Sequence, residues 1–184
     1  KVADKMKQHG VLGASTFSDW WAYKYEVVDA IPQNAAILTN VGVNVAINSD
    51  DAEMARRLNQ EAAKSVKYGN MTEEEAWKMV TINPAKMLHV DQFTGSIKAG
   101  KQADIVLWNT NPLSIYAIAQ QVYVDGVKYF DVADQETKLL AMQAERSRLV
   151  KKMTEAKAKG EPTQPPVIIF KHLEHCNDHE DMPH

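Results

Sequence analysis

The residue of this chain best placed to do chemistry is Asp50. It follows the run Val43-Asn44-Val45-Ala46-Ile47, which reads as a strand with one internal polar residue, and it precedes a long helical stretch. Near-continuous apolar strands of this kind suit a buried parallel sheet. In βα barrels the active site lies where such strands end. A carboxylate there can ligate a divalent cation and take a proton from water bound to it. The alternative is structural: Asp50 or Asp51 caps the helix that follows, a common use of Asp. Upstream, Ser15, Thr16 and Asp19 belong to a polar loop, Ser15-Thr16-Phe17-Ser18-Asp19, after the apolar run Val11 to Ala14. Leaving a strand on the same face, these side chains would line a substrate pocket. Asp19 ahead of Trp20-Trp21 also reads as an ordinary helix start.

Other reactive residue types are less telling. Trp20, Trp21, Tyr23 and Tyr25 form an aromatic cluster of the kind that fills a core or an interface. His9 and His89 fall near helix ends and read as structural. Four of the six histidines, His172, His175, His179 and His184, lie near the C-terminus with Cys176 among them. Imidazole and thiolate suit Zn²⁺ or Ni²⁺, but this spacing matches no closed structural site. It reads as a solvated tail able at most to pick up metal.

The elements that must position these groups follow from periodicity. Helices are expected at the N-terminus up to His9, at Trp20 to Ile31 ahead of Pro32, at Ala35 to Val41, and from about Ala52 to Tyr68 with Gly69 closing it. Thr72 and Glu75 make a capping box for the next helix, ending near Val80. Asn83-Pro84 starts a short turn of helix through Leu88. Strand, loop and helix repeated with short connections argue for βα units and a parallel sheet. After Asp91 the pattern changes to short strands at Ser96–Lys98 and Asp104–Trp108. Val122–Val124, Asp125-Gly126 and Val127–Phe130 then give a strong hairpin signal, because Asp-Gly suits a type I′ turn. Asp134 to Lys159 is rich in Ala, Lys, Glu and Leu and reads as a helix. Its stripe of Leu139, Met142 and Leu149, interrupted by Arg146, suits a docking face better than a coiled coil. The expected domains are therefore residues 1–91 (βα units), 92–131 (small β unit) and 132–184 (helix and tail).

The chain has 184 residues, 45% hydrophobic and 24% charged, which is ordinary for a soluble globular protein, cytoplasmic or periplasmic. Lys and Arg total 21 against 24 acidic residues, for a formal charge of −3 and a pI near 6.1. No basic excess points to nucleic acid or an anionic membrane. The longest apolar run, Ile115 to Ala119, is too short to span a bilayer. One cysteine excludes an internal disulfide framework.

Val43-Asn44-Val45-Ala46-Ile47-Asn48-Ser49-Asp50 resembles the end of barrel strand eight in the amidohydrolase superfamily. Thr81-Ile82-Asn83-Pro84-Ala85-Lys86-Met87-Leu88 is similar to that family's T-x-N-P-A-x-x-L helix. The segment from Gly95-Ser96-Ile97 through Gly100-Lys101-Gln102-Ala103-Asp104 to Trp108 resembles its G-S-I-x-x-G-K-x-A-D-x-V segment. Asn111-Pro112-Leu113 and Val122-Tyr123-Val124-Asp125-Gly126 continue the likeness in order and spacing. The flavour is that of the imidazolonepropionase-like branch.

The resemblance implies an α/β fold: the C-terminal part of a TIM-type (β/α)8 barrel, followed by a small β unit and a C-terminal helix. It implies hydrolysis of a C–N bond in an amide, cyclic amide or small peptide, with one or two divalent metals, zinc by family habit. Of the family's metal ligands only the strand-eight aspartate maps here, onto Asp50. A complete barrel takes about 250 residues, so the chain is expected to lack the early strands and to be inactive alone. Its expected partners are a small amide or peptide substrate and either a second copy or the N-terminal part of the barrel. A different class of reading is a non-enzymatic assembly module, associating through open sheet edges and the C-terminal helix.

Overall fold

The computed structural model describes residues 2–162 and 164, which divide into two units between Val132 and Ala133. The histidine-rich tail expected to pick up metal, with His172, His175, Cys176, His179 and His184, lies outside the described residues. The first unit opens with helix α1 (Ala3–Gln8), followed by strand β1 (Ala14–Thr16) and helix α2 (Asn34–Asn40). Strand β2 (Val45–Ile47) comes next, then α3 (Leu58–Gly69), α4 (Glu73–Lys78) and α5 (Ile82–Met87). Strands β1 and β2 pair in parallel, with Ala14 opposite Val45 and Thr16 opposite Ile47. A strand–helix–strand crossover of this kind is the unit of α/β folds. Among the described residues there is no closed barrel.

Side chains alternate across a strand, and here the alternation assigns the two faces. Val45 and Ile47 join Ala35, Ala36, Leu38, Ala62, Met71 and Met79 in the core, so this face packs on α2, α3 and α4. Ser15 and Ala46 point to the opposite face. Ala46 is buried all the same, as expected of a strand covered on both sides.

Several elements differ from the sequence expectation. The first strand begins at Ala14 and takes in Ser15 and Thr16, where the apolar run predicts a strand ending at Ala14 and a loop from Ser15. The partner strand decides this: the ladder continues to Asn48, whose N–H donates to the Thr16 carbonyl at 3.0 Å. Trp20 to Ile31 is not an α-helix but two 3-10 turns, Trp20–Ala22 and Tyr25–Val27. Asp19 makes no cap there, and Trp20 instead packs between Phe17 and Tyr23, at ring separations of 5.2 and 5.0 Å. The long helix starts as a 3-10 turn, Met54–Arg57. It stops at Asn70, in the left-handed conformation with φ 54°, and not at Gly69. What Gly69 provides is room, since a Cβ there would strike the Cβ of Ala36 on α2.

The small β unit is a three-stranded antiparallel sheet in the order β3 (Ile105–Trp108), β4 (Ala119–Val124), β5 (Val127–Asp131). Asp125 and Gly126 both take positive φ, 49° and 78°, as a type I′ hairpin requires. Ser96–Lys98 is not a strand; its loop is held by Lys101, whose ammonium donates to the carbonyls of Asp91 and Thr94 and to Ser96 Oγ. Asp104 Oδ1 accepts from the Asp125 N–H at 2.9 Å, tying β3 to the hairpin turn. The second unit is described by helix α6 (Val132–Ala158), none of whose residues is buried. No helix among the described residues is long and apolar enough to cross a membrane.

Gly69→Ala tests the close approach of α2 and α3. Ala is favoured over Gly in a helix by about 1 kcal/mol, yet overpacking a rigid neighbour costs roughly 1–3 kcal/mol. The variant is expected to be less stable in urea, and a more stable one would show that the two helices can part.

Candidate active-site edge

The parallel pair presents its C-terminal edge through two loops, 17–19 after β1 and 48–51 after β2. In α/β sheets ligands bind at this edge. The second loop is pinned at both ends. Ile47 N–H donates to the Met79 carbonyl at 3.1 Å, fixing the strand end against α4. Ser49, buried, donates through Oγ to the Asp51 carbonyl at 3.1 Å. Between them Asp50 is exposed and left-handed, with φ 51°. Asp tolerates that region better than most residues.

The capping duty that made Asp50 ambiguous belongs to its neighbour. Asp51 Oδ1 accepts from the N–H groups of Glu53 and Met54, each at 2.9 Å. Asp51 therefore begins the 3-10 turn, and Asp50 is the carboxylate displayed at the tip of the loop.

The other three candidate residues separate. Ser15 lies on the face of β1 away from the helices and is exposed. Thr16 is buried on the helix face, where its hydroxyl accepts from Asn34 Nδ2 at 2.7 Å. Asp19 binds Lys64 Nζ at 2.5 Å, so it is joined to α3. His9 and His89 follow α1 and α5 in the chain and belong to neither of the loops that leave the C-terminal ends of β1 and β2. Among the described residues no three His, Cys, Asp or Glu side chains come together to hold a metal ion. Two buried polar atoms, Asn48 Oδ1 and Trp20 Nε1, have no hydrogen-bond partner among the described residues.

Sequence reading missed the most buried charge near this edge. Glu61 on α3 is 7% exposed and receives the hydroxyl of Ser18, itself 1% exposed. Lys64 donates to Glu61 at 2.8 Å and so links both loop residues, Ser18 and Asp19, to one helix. Burial pushes the Lys64 pKa down, but the hydrogen bonds to Asp19 and Glu61 outweigh it and leave it raised. The signal was present: Leu58, Glu61, Ala62 and Ser65 recur at helical spacing on the packed side of α3, and two of the four are polar. Polar groups on such a stripe need partners.

Residues 28–159 match the amidohydrolase family, and the chain belongs to that family. It is 37% identical over 116 residues to the amidohydrolase tasK of Hapsidospora irregularis, covering 62% of this chain and 12% of that protein. Over 58 residues it is 50% identical to an imidazolonepropionase of Shewanella frigidimarina, covering 31% of this chain and 13% of that one. An amidohydrolase structure from Thermotoga maritima superposes with a TM-score of 0.64 at 28% identity, over 71% of this chain and 34% of that one. The chain thus spans only about an eighth of those two curated relatives. Membership of a hydrolase family with an α/β fold follows.

Two outcomes test the Ser18–Glu61–Lys64–Asp19 network. Glu61→Ala leaves the buried Ser18 hydroxyl and the Lys64 ammonium without this acceptor. It is expected to cost roughly 2–4 kcal/mol in urea unfolding; a loss below about 0.5 kcal/mol would show the network to be incidental. Because the folded pKa of Lys64 lies above its unfolded value, its contribution is complete below about pH 10 and fades as pH rises through the folded pKa. Lys64→Met should flatten that alkaline decline in stability.

Proposed function

We propose that this chain supplies the last βα units of a (β/α)8 hydrolase that cleaves C–N bonds in an amide, a cyclic amide or a small peptide. Asp50 is its reactive carboxylate. The observation that carries this reading is the separation of duties at the end of β2: Asp51 holds the turn, and Asp50 stands exposed at its tip. In that position the Asp50 carboxylate accepts a proton from the attacking water and returns it to the departing nitrogen. Ser15 lies on the same side of the sheet as Ala46, where a substrate would approach; Asp19 and Thr16 shape the neighbouring loop from behind.

Family membership suggests one or two divalent ions, zinc among them, which supply Lewis acidity. The described residues do not by themselves fit such a site. Asp50 offers one oxygen ligand, Asn48 a neutral amide, and no cluster of His, Cys, Asp or Glu lies nearby, whereas catalytic zinc takes about three protein ligands. The chain alone is accordingly inactive in this reading, and the other ligands lie outside its described residues. The assembly-module reading draws on the outer edges of β1, β3 and β5, that of β2 being taken by Met79 and Asn83.

In a protein containing the whole barrel, Asp50→Asn is expected to lower kcat on a scissile amide by 10²- to 10⁴-fold or more. Asp51→Ala should leave kcat within a few-fold while costing about 1 kcal/mol of stability. Equal effects of the two substitutions on kcat would remove Asp50 from the proposed role. Metal-dependent amide hydrolysis by the 184-residue chain alone would show that its ligand set is complete.

A further inference from the structure

Helix α6 has 27 residues, about 40 Å at 1.5 Å per residue, and buries none of them. Leu139, Met142, Leu149 and Met153 recur at spacings of three, seven and four and are each 44% to 69% exposed. With Arg146 and Ala156 they fill consecutive seam positions of a seven-residue repeat, the spacing that lets one helix lie along another. A helix of this length with such a seam can lie along a second helix of matching length. The distribution of charge says which one.

The N-terminal half of α6 carries Asp134, Glu136 and Glu145 against Lys138. The C-terminal half carries Arg146, Arg148, Lys151, Lys152 and Lys157 against Glu155. Charges flanking the seam set partner choice and direction. Two copies laid antiparallel, with Met142 of one layered on Met153 of the other, bring Glu145 opposite Lys152 and Glu136 opposite Lys157, each twice. Of the like pairs in this register, Lys138 with Lys159 falls at the helix ends, and the two Arg146 lie one layer apart at the centre of the seam. Laid parallel, the same helices place Lys152 beside Lys157, Glu145 beside Val150 and Lys138 beside Gln143, with no attractive pair. Glu145 already accepts from Nε and Nη2 of Arg148, each at 2.7 Å, yet a carboxylate has about four acceptor sites and retains capacity for a lysine. Arg146 lies on the seam with a stem long enough to leave its guanidinium at the rim.

We infer that α6 is a dimerisation helix that pairs antiparallel with α6 of a second copy of this chain, through the Leu139–Met142–Leu149–Met153 seam. This rests on the helix alone and is independent of the hydrolase reading.

The test uses the full 184-residue chain. Sedimentation equilibrium at tens of micromolar should give twice the 20.6 kDa chain mass. Met142→Glu with Leu149→Glu should return it to the monomer mass. Charge reversal is the gentler probe: Glu145→Lys alone should raise the dimer dissociation constant at least tenfold, and adding Lys152→Glu should restore it. Direction is read by disulfide formation in a Cys176→Ser background. Chains bearing Met142→Cys should cross-link to chains bearing Met153→Cys in preference to themselves. A monomer at these concentrations overturns the inference. So does a dimer indifferent to both sets of substitutions, which would place its contact at the open strand edges. Preferential cross-linking of position 142 to itself, the mark of a parallel pair, overturns it as well.

Discussion

Everything at the candidate site depends on one short parallel ladder. Three residues of β1 pair with three of β2, and a single further hydrogen bond, from Asn48 to Thr16, carries the pairing past the strand end. So short a ladder contributes little alone. It is fixed because Val45 and Ile47 lie in a core built from α2, α3 and α4, and because Met79, fully buried, receives the Ile47 N–H. A one-residue slip would send Val45 and Ile47 to the other face. Register, core and the position of Asp50 are therefore a single constraint. The two loops at this edge are then held separately, one by Ser49 and Asp51 and the other by the acidic side chain of Glu61.

The residues behind the family likeness are mostly cross-links of the scaffold. Asn83, from the Thr81–Leu88 motif, donates to the Val45 carbonyl at 2.9 Å and ties α5 to β2. Gly95 lies so close to Ala85 of that same motif that a Cβ would collide with it. Pro112 and Asn111 reach α3 and α4: the Pro112 carbonyl accepts from Asn59 at 2.6 Å, and Asn111 donates to Glu73 at 2.8 Å. Asp104 and the Asp125-Gly126 turn meet each other. These positions report architecture, and they leave the choice of substrate open.

That division explains what was legible in the amino-acid order. The capping box at Thr72, the type I′ hairpin and the long C-terminal helix depend on neighbours a few residues apart, and all three form as expected. The start of β1 and the use of Asp19 by Lys64 depend on partners more than ten residues away. For Trp20 to Ile31, helical spacing lost to aromatic packing on Phe17 and to the use of Asp19 by Lys64. Local sequence also could not choose between Asp50 and Asp51 as the capping residue; that needed the conformation of the turn. Glu61 was overlooked because its partner Ser18 lies 43 residues away.

The loop between α5 and β3 has a consequence of its own. Lys101 sends its ammonium to two backbone carbonyls and a hydroxyl, the kind of oxygen set that in other proteins surrounds a bound cation. Here the cation is attached to the chain. The segment from Asp91 to Ser96 is gathered around an ammonium that the chain itself supplies five residues further on.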